Sequence, residues 1–194
     1  MTQVKTGRRQ RGGTQPSPLS NDDVMRAALA IVERSSLDDL TIKALADELG
    51  VTSPAVYHYV DGKDALVVRV CEQVTGRVDL GVDPGAPWQD RIVTIMLRLH
   101  DAFARYPGVG ARSLALRGPA PASDRISTTI RSIVLDAGFD DGTARELGAA
   151  LHLVFSGWLV GKVPVTSPTT EMTPELLERI THRLLRGYRE PPAD

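Results

Sequence analysis

Apolar residues recur along this chain at spacings of three and four, the period of a helix with one face turned inward, and nowhere in the alternating pattern of a half-buried strand. Val24, Ala27, Ala28, Ile31 and Val32 form one such face over residues 21–34. Ahead of it, Ser20 and Asp23 make the S-x-x-D pattern whose side chains satisfy free N–H groups at a helix start. A second amphipathic run, Ile42, Leu45, Ala46 and Leu49, begins after Thr41, a good N-cap, and ends at Gly50, which tolerates the left-handed conformation that closes a helix. Val51 and Thr52 make a turn; Ser53 is placed to cap the next helix and Pro54 to occupy its first position, where a missing N–H is harmless. That third helix is short, residues 54–60. After the break at Asp61 and Gly62, a fourth helix from Lys63 carries Leu66, Val67, Val70 and Val74.

Gly81, Pro84, Gly85 and Pro87 then mark a change of domain. Beyond them Trp88, Ile92, Ile95, Met96, Leu99 and Phe103 predict a long helix stopped by Pro107 and Gly108. A short helix over 109–116, one over 123–137 ended by Gly138, a long apolar one over 143–162 and a last one over 173–188 complete the pattern. The expected fold is all-α, with a smaller N-terminal and a larger C-terminal helical domain. The expected division is a flexible basic arm (1–18), an N-terminal domain (19–75) and a C-terminal domain (76–190).

Composition narrows the class. With 42% hydrophobic and 24% charged residues the chain reads as globular. Cys71 is its one cysteine, so no internal disulfide framework exists, which fits a reducing cytoplasm. The longest apolar stretch, 147–161, contains His152 and is short for a bilayer span, and the basic N-terminus is not followed by the apolar core of a secretory signal, so a cytoplasmic protein without a membrane partner is expected. Net charge is −1, which gives no global reason to expect nucleic acid. Any such partner must be argued from local placement.

That placement lies in residues 41–60. Two short helices joined by a tight glycine-containing turn are the minimal helix-turn-helix, in which the second helix enters the major groove while the first braces it. Leu45, Ala46, Leu49, Val51 and Val56 would form the interior of the unit, leaving Ala55, Tyr57, His58 and Tyr59 to face outward or toward a backbone. The run TIKALADELGVTSPAVYHYVDGKDAL over 41–66 resembles the DNA-binding domain of the TetR family of bacterial regulators, with its Leu-Ala, Leu-Gly-Val, Val-Tyr-His-Tyr and Lys-Asp-Ala-Leu elements in register. The resemblance implies DNA contacts from Lys43, Thr52, Ser53, Pro54, Ala55, Tyr57, His58, Tyr59 and Lys63, with Tyr59 and Lys63 at phosphates. Ala55 departs from hydrogen-bonded readout, since a methyl group meets a thymine methyl only by apolar contact. Tyr57 keeps a second reading, packing between the first and third helices, and Lys63 a second one as a surface charge.

The second half is similar to the regulatory domains of the same family; the resemblance thus implies a three-helix helix-turn-helix DNA-binding domain over 19–75 and a helical ligand-binding (effector-binding) and dimerisation domain over 76–190, with an effector pocket. Trp88, Met96, His100, Phe103, Phe155 and Trp158 are its candidate lining, with Arg131 or His152 as polar partners, and ordinary core packing is the alternative for each. The helix over 143–162 is apolar on more than one face and so needs burial on more than one side, which a second copy of the chain would supply. The expected partners are double-stranded operator DNA, a second subunit and a largely apolar small molecule, and no cofactor or metal is expected. The chain reads as a repressor released by its effector, with an activator or a regulator answering a protein partner as the alternative. An enzyme is disfavoured: there is no phosphate-binding glycine loop and no Gly-x-Ser-x-Gly elbow, and His58, His100, His152 and His182 lack metal-site spacing.

Overall fold

The computed structural model describes residues 19–116, 118–160 and 172–188, and all regular structure among them is helical. In chain order the elements are α1 (Asn21–Arg34), α2 (Ile42–Leu49), α3 (Ser53–Val56), α4 (Lys63–Gly76), α5 (Trp88–Arg105), α6 (Val109–Ala115), α7 (Pro121–Asp136), α8 (Asp141–Val160) and α9 (Pro174–Leu185). The arm over 1–18 lies outside the described residues, as do the last two positions expected for the long apolar helix. Among the described residues no helix is long and apolar enough to cross a membrane.

Local chemistry sets most boundaries. Ser20 Oγ accepts from the Asp23 amide at 3.1 Å while the Asp23 carboxylate accepts from the Ser20 amide at 3.0 Å, a reciprocal cap that starts α1 where the sequence places it. Thr41 Oγ1 accepts from the Ala44 amide at 3.0 Å, and Gly50 closes α2 at φ 65°. Four starts differ from expectation, one of them at α9, where Thr173 Oγ1 accepts from the Leu176 amide at 3.3 Å as N-cap and the helix begins at Pro174. Thr52, not Ser53, is the N-cap of α3, so Pro54 falls at its second position. Pro121 opens α7 two residues early because its fixed φ already suits a first turn. Asp140 accepts from both the amide and the hydroxyl of Thr143, at 3.0 and 2.8 Å, and α8 therefore begins at Asp141.

Two apolar cores organise the molecule. The first gathers Val24, Ala28 and Val32 of α1, Leu45 of α2, Val56 of α3 and Leu66 and Val70 of α4, all fully buried. The second, from Val78 onward, joins α5, α7, α8 and α9 through Ile92, Ile95, Val134, Leu147, Leu177 and Leu185. Their junction is made by polar groups as well as packing. The Leu37 amide donates to the Pro107 carbonyl at 2.9 Å, and Gly108, at φ 87°, sits so close to Leu37 that a Cβ there would stand 3.1 Å from the leucine Cβ. Arg125 donates to the carbonyls of Gly76 and Val78 at 2.8 and 3.0 Å, placing a cation on the C-terminal end of α4. Glu72 accepts from the Ala122 amide at 3.1 Å, and α4 is thereby fastened to the start of α7. Cys71 is buried at the same junction, and burial pushes its thiol above the ordinary cysteine range.

Candidate nucleic-acid interface and candidate cavities

The unit from α2 to α3 is held from behind. Leu45, Ala46 and Val56 are sunk into the first core, the Val51 amide donates to the Ala46 carbonyl at 3.0 Å across the turn, and Arg34 of α1 donates to Glu48 at 2.7 Å. That bond holds the Glu48 carboxyl below its usual range. Beyond Val56 the helical turn continues as single turns, with the amides of Tyr59 and Val60 donating to the Val56 carbonyl at 2.9 and 3.2 Å, so the region expected as one helix to residue 60 is a short helix with an irregular last turn.

Opposite this buried side lie the residues singled out for DNA. Lys43, Thr52, Pro54, His58 and Lys63 are exposed, and Ser53 and Ala55 are half-buried at the start of α3. Tyr57 is 57% exposed, so it is not packing between α1 and α3. Lys63 Nζ lies 3.4 Å from the Asp38 carbonyl, a long contact on an exposed side chain. Tyr59 stands apart from the others: half-buried, it donates its hydroxyl to the Leu19 carbonyl at 2.8 Å and fixes the chain as it enters α1. Arg69, which the sequence reading missed, completes that clamp by donating to the Tyr59 carbonyl at 2.7 Å and to Asn21 Oδ1 at 3.3 Å. A lone cation between Val68 and Val70 was the available signal, but nothing in sequence named its partners.

The eight residues proposed for an effector pocket do not converge. Met96, Arg131, His152 and Phe155 line a cavity of about 300 Å³ between α5, α7 and α8, whose apolar walls also include Leu99, Ile126, Ile130 and Leu151. His100, Phe103 and Trp158 line a different, shallower hollow against α6. There the Trp158 indole N–H donates to His100 Nδ1 at 3.0 Å, and Gly110 leaves no room for a Cβ, which would meet Leu159 Cδ2 at 2.8 Å and the Phe103 ring at 3.0 Å. Trp88 lines neither; it is buried with its ring edge-on to Phe139, centroids 5.2 Å apart, as a core residue. The sequence reading also missed Ser127, Arg145 and Gly148 of the first cavity. Arg131 Nε donates to Asp141 Oδ1 at 2.7 Å, and Arg145 reaches the other oxygen of that carboxylate at 2.5 Å.

A short braced helix pair with a solvent-facing polar side, carried on an all-helical body that contains an apolar cavity, has the architecture of a helix-turn-helix protein. Residues 24–70 match the family model described as bacterial regulatory proteins, tetR family. An HTH-type transcriptional regulator of Saccharopolyspora erythraea is 26% identical over 149 residues, covering 77% of this chain and 61% of the relative. An HTH-type transcriptional repressor of Streptomyces coeruleorubidus is 29% identical over 164 residues, covering 80% of this chain and 56% of the relative. This chain thus spans little more than half the length of these curated relatives. Among solved structures, a possible TetR-family regulator from Streptomyces coelicolor A3(2) superposes with a TM-score of 0.72 at 20% identity, covering 88% of this chain and 100% of that one. A TetR variant from Acinetobacter baumannii AYE in complex with minocycline gives 0.70 at 21% identity, covering 87% and 96% of the two chains. BioQ with its double-stranded DNA operator gives 0.65 at 22% identity, covering 85% and 99%. At such identities the superpositions show a shared fold. Residues 24–70 thus carry the helix-turn-helix of the tetR family of bacterial regulatory proteins, and the chain as a whole is similar to TetR-family regulators in sequence and fold.

Proposed function

We propose that this protein is a homodimeric repressor, acting in the cytoplasm, that holds a palindromic operator through α3 and releases it when a small molecule fills the cavity between α5, α7 and α8. The observation that carries the reading is the two-sidedness of the α2–α3 unit: Leu45 and Val56 are fully buried on one side, while Lys43, Thr52, Tyr57 and His58 stand in solvent on the other. Hydroxyls, an ammonium and an imidazole on the exposed side of a helix-turn-helix pair are groups that contact phosphates and base edges. Tyr59 enters this reading as a support that sets the position of α3, not as a phosphate ligand. The division of labour between residues 19–75 and 76–190 belongs to the same proposal.

The second subunit is supported by α8. Leu153 and Val160 are 71% and 59% exposed, and a Cβ built on Gly157 of the same side meets nothing within 4 Å, so an apolar side of this helix lacks a neighbour within the subunit. One short reading helix offers few contacts, whereas two of them about 34–36 Å apart read successive major grooves. The operator-bound and minocycline-bound relatives of the same fold favour DNA and a small molecule as the two ligands. For the effector to empty the operator it must bind the released arrangement more tightly; a swing from 1:99 to 99:1 needs roughly 5.5 kcal/mol of such preference.

The test begins with DNA fragments selected by the purified protein. Tyr57→Ala is expected to weaken anisotropy-measured binding to the selected sequence about tenfold at fixed salt while sedimentation still reports a dimer. Unchanged affinity, or failure to select any sequence, overturns the assignment of α3 as the reading helix.

A further inference from the structure

We infer that the cavity between α5, α7 and α8 takes an amphiphilic anion, an apolar body ending in a carboxylate or an equally acidic group; the inference rests on the proposal that this cavity is the effector site. Its inner wall is hydrocarbon, with Leu99 and Leu151 buried and Met96 and Phe155 closing the depth. Among the described residues its ionisable lining groups are Arg131, Arg145 and His152, with no carboxylate in the lining. In a chain whose net charge is −1, a cavity with a purely basic set of ionisable groups is a local arrangement and not a reflection of overall basicity.

The counter-charge at this mouth is incomplete. Arg131 uses Oδ1 of Asp141 and Arg145 uses Oδ2, so two guanidinium groups share one carboxylate. Each guanidinium has five N–H donors, and a carboxylate matched to one fork cannot satisfy two. One positive charge therefore stays in excess beside the opening, with the hydroxyl-bearing Ser127 also lining the cavity one turn before Arg131 on α7. An entering carboxylate would supply the missing acceptors while its apolar part occupies the hydrocarbon wall. A neutral molecule would gain only the second of these, and an ammonium would face three basic groups.

Magnitude decides how strong the selection is. Arg131 and Arg145 are 47% and 74% exposed, so solvent screens them, and the advantage of an anion is about tenfold and not the thousandfold of a dry site. Calorimetric titration of the whole chain at neutral pH and constant ionic strength with decanoate and naphthoate, with the methyl ester of each, and with decylamine reads this directly. The acids are expected to bind about tenfold tighter than their esters, and decylamine weaker than either class. In the double variant Arg131→Gln, Arg145→Gln the ester affinity should persist and the advantage of the acid vanish. Asp141→Asn, which frees both guanidiniums, should enlarge that advantage. Esters binding as tightly as acids, or an advantage that survives in the double variant or shrinks in Asp141→Asn, overturns the inference while leaving an effector cavity in place. No binding by any of the probes removes the cavity reading itself, and the anion preference with it.

Discussion

Tyr57 and Tyr59 are two positions apart and have opposite fates. Tyr57 stands in solvent, while Tyr59 bonds the Leu19 carbonyl and packs against the first core. Removing the Tyr59 hydroxyl therefore has a stability signature: Tyr59→Phe should lower unfolding free energy in urea by about 1 kcal/mol, the worth of one hydrogen bond, while operator affinity stays close to wild type. A loss of DNA binding without loss of stability would return Tyr59 to the phosphate backbone. The sequence could not separate the two tyrosines, because in one irregular helical turn residue type and spacing do not say which ring faces inward. The same limit applied to Trp88, whose aromatic type suggested a pocket wall but whose partner, Phe139, lies on a distant segment. Residues whose role depends on one local neighbour, such as Ser20, Thr41 and Gly50, were legible throughout.

At the scale of elements, the reciprocal cap of α1 makes a pH-dependent claim. Asp23 lies below its ordinary value of 3.8, first because the Ser20 hydroxyl donates to its carboxylate, next because the Ser20 amide does, with Arg26 adding a smaller effect. A carboxyl lowered on folding stabilises the fold above its ordinary value, and the contribution is lost as pH falls through the lowered one. The stability difference between wild type and Ser20→Ala should accordingly be full at neutral pH and narrow in acid, as followed by urea unfolding at a series of pH values. A difference that widens in acid would contradict the cap. The helices themselves were legible because apolar period and capping chemistry agree at α1 and α2, while at α4 and α5 the apolar period follows a Gly or Pro break. Where they were not, the start moved: Asp140 caps α8 ahead of the expected position, and α3 starts at Ser53 without a side-chain cap bond from Thr52. The split of the expected pocket has a related cause, since an apolar period shows that α8 is buried on several sides but not which of them meets α7 and which meets α6.

For the whole molecule, charge is distributed in an instructive way. Residues 19–75 carry five Lys and Arg against ten Asp and Glu, whereas residues 1–18 carry four basic groups and no acidic one. Of the five, Arg26 and Arg34 are paired with Asp23 and Glu48, and Arg69 is turned onto Tyr59 and Asn21, which leaves Lys43 and Lys63 as the cations of the α2–α3 surface. Phosphate neutralisation scales with the number of engaged cations. Deleting residues 1–18 should flatten the log–log salt dependence of operator binding by roughly three to four per subunit, as measured by anisotropy titrations at several salt concentrations. An unaltered slope would mean that these four charges stay off the DNA. The burial of Cys71 has a practical corollary of a different kind. As the chain's single thiol, sealed at the junction of the two cores and hard to ionise, it is slow toward maleimides, so a substitution such as Asp61→Cys would offer the fast-reacting site in each subunit. In the proposed dimer, spin labels there would act as a calliper, reporting the span between the two heads with and without effector.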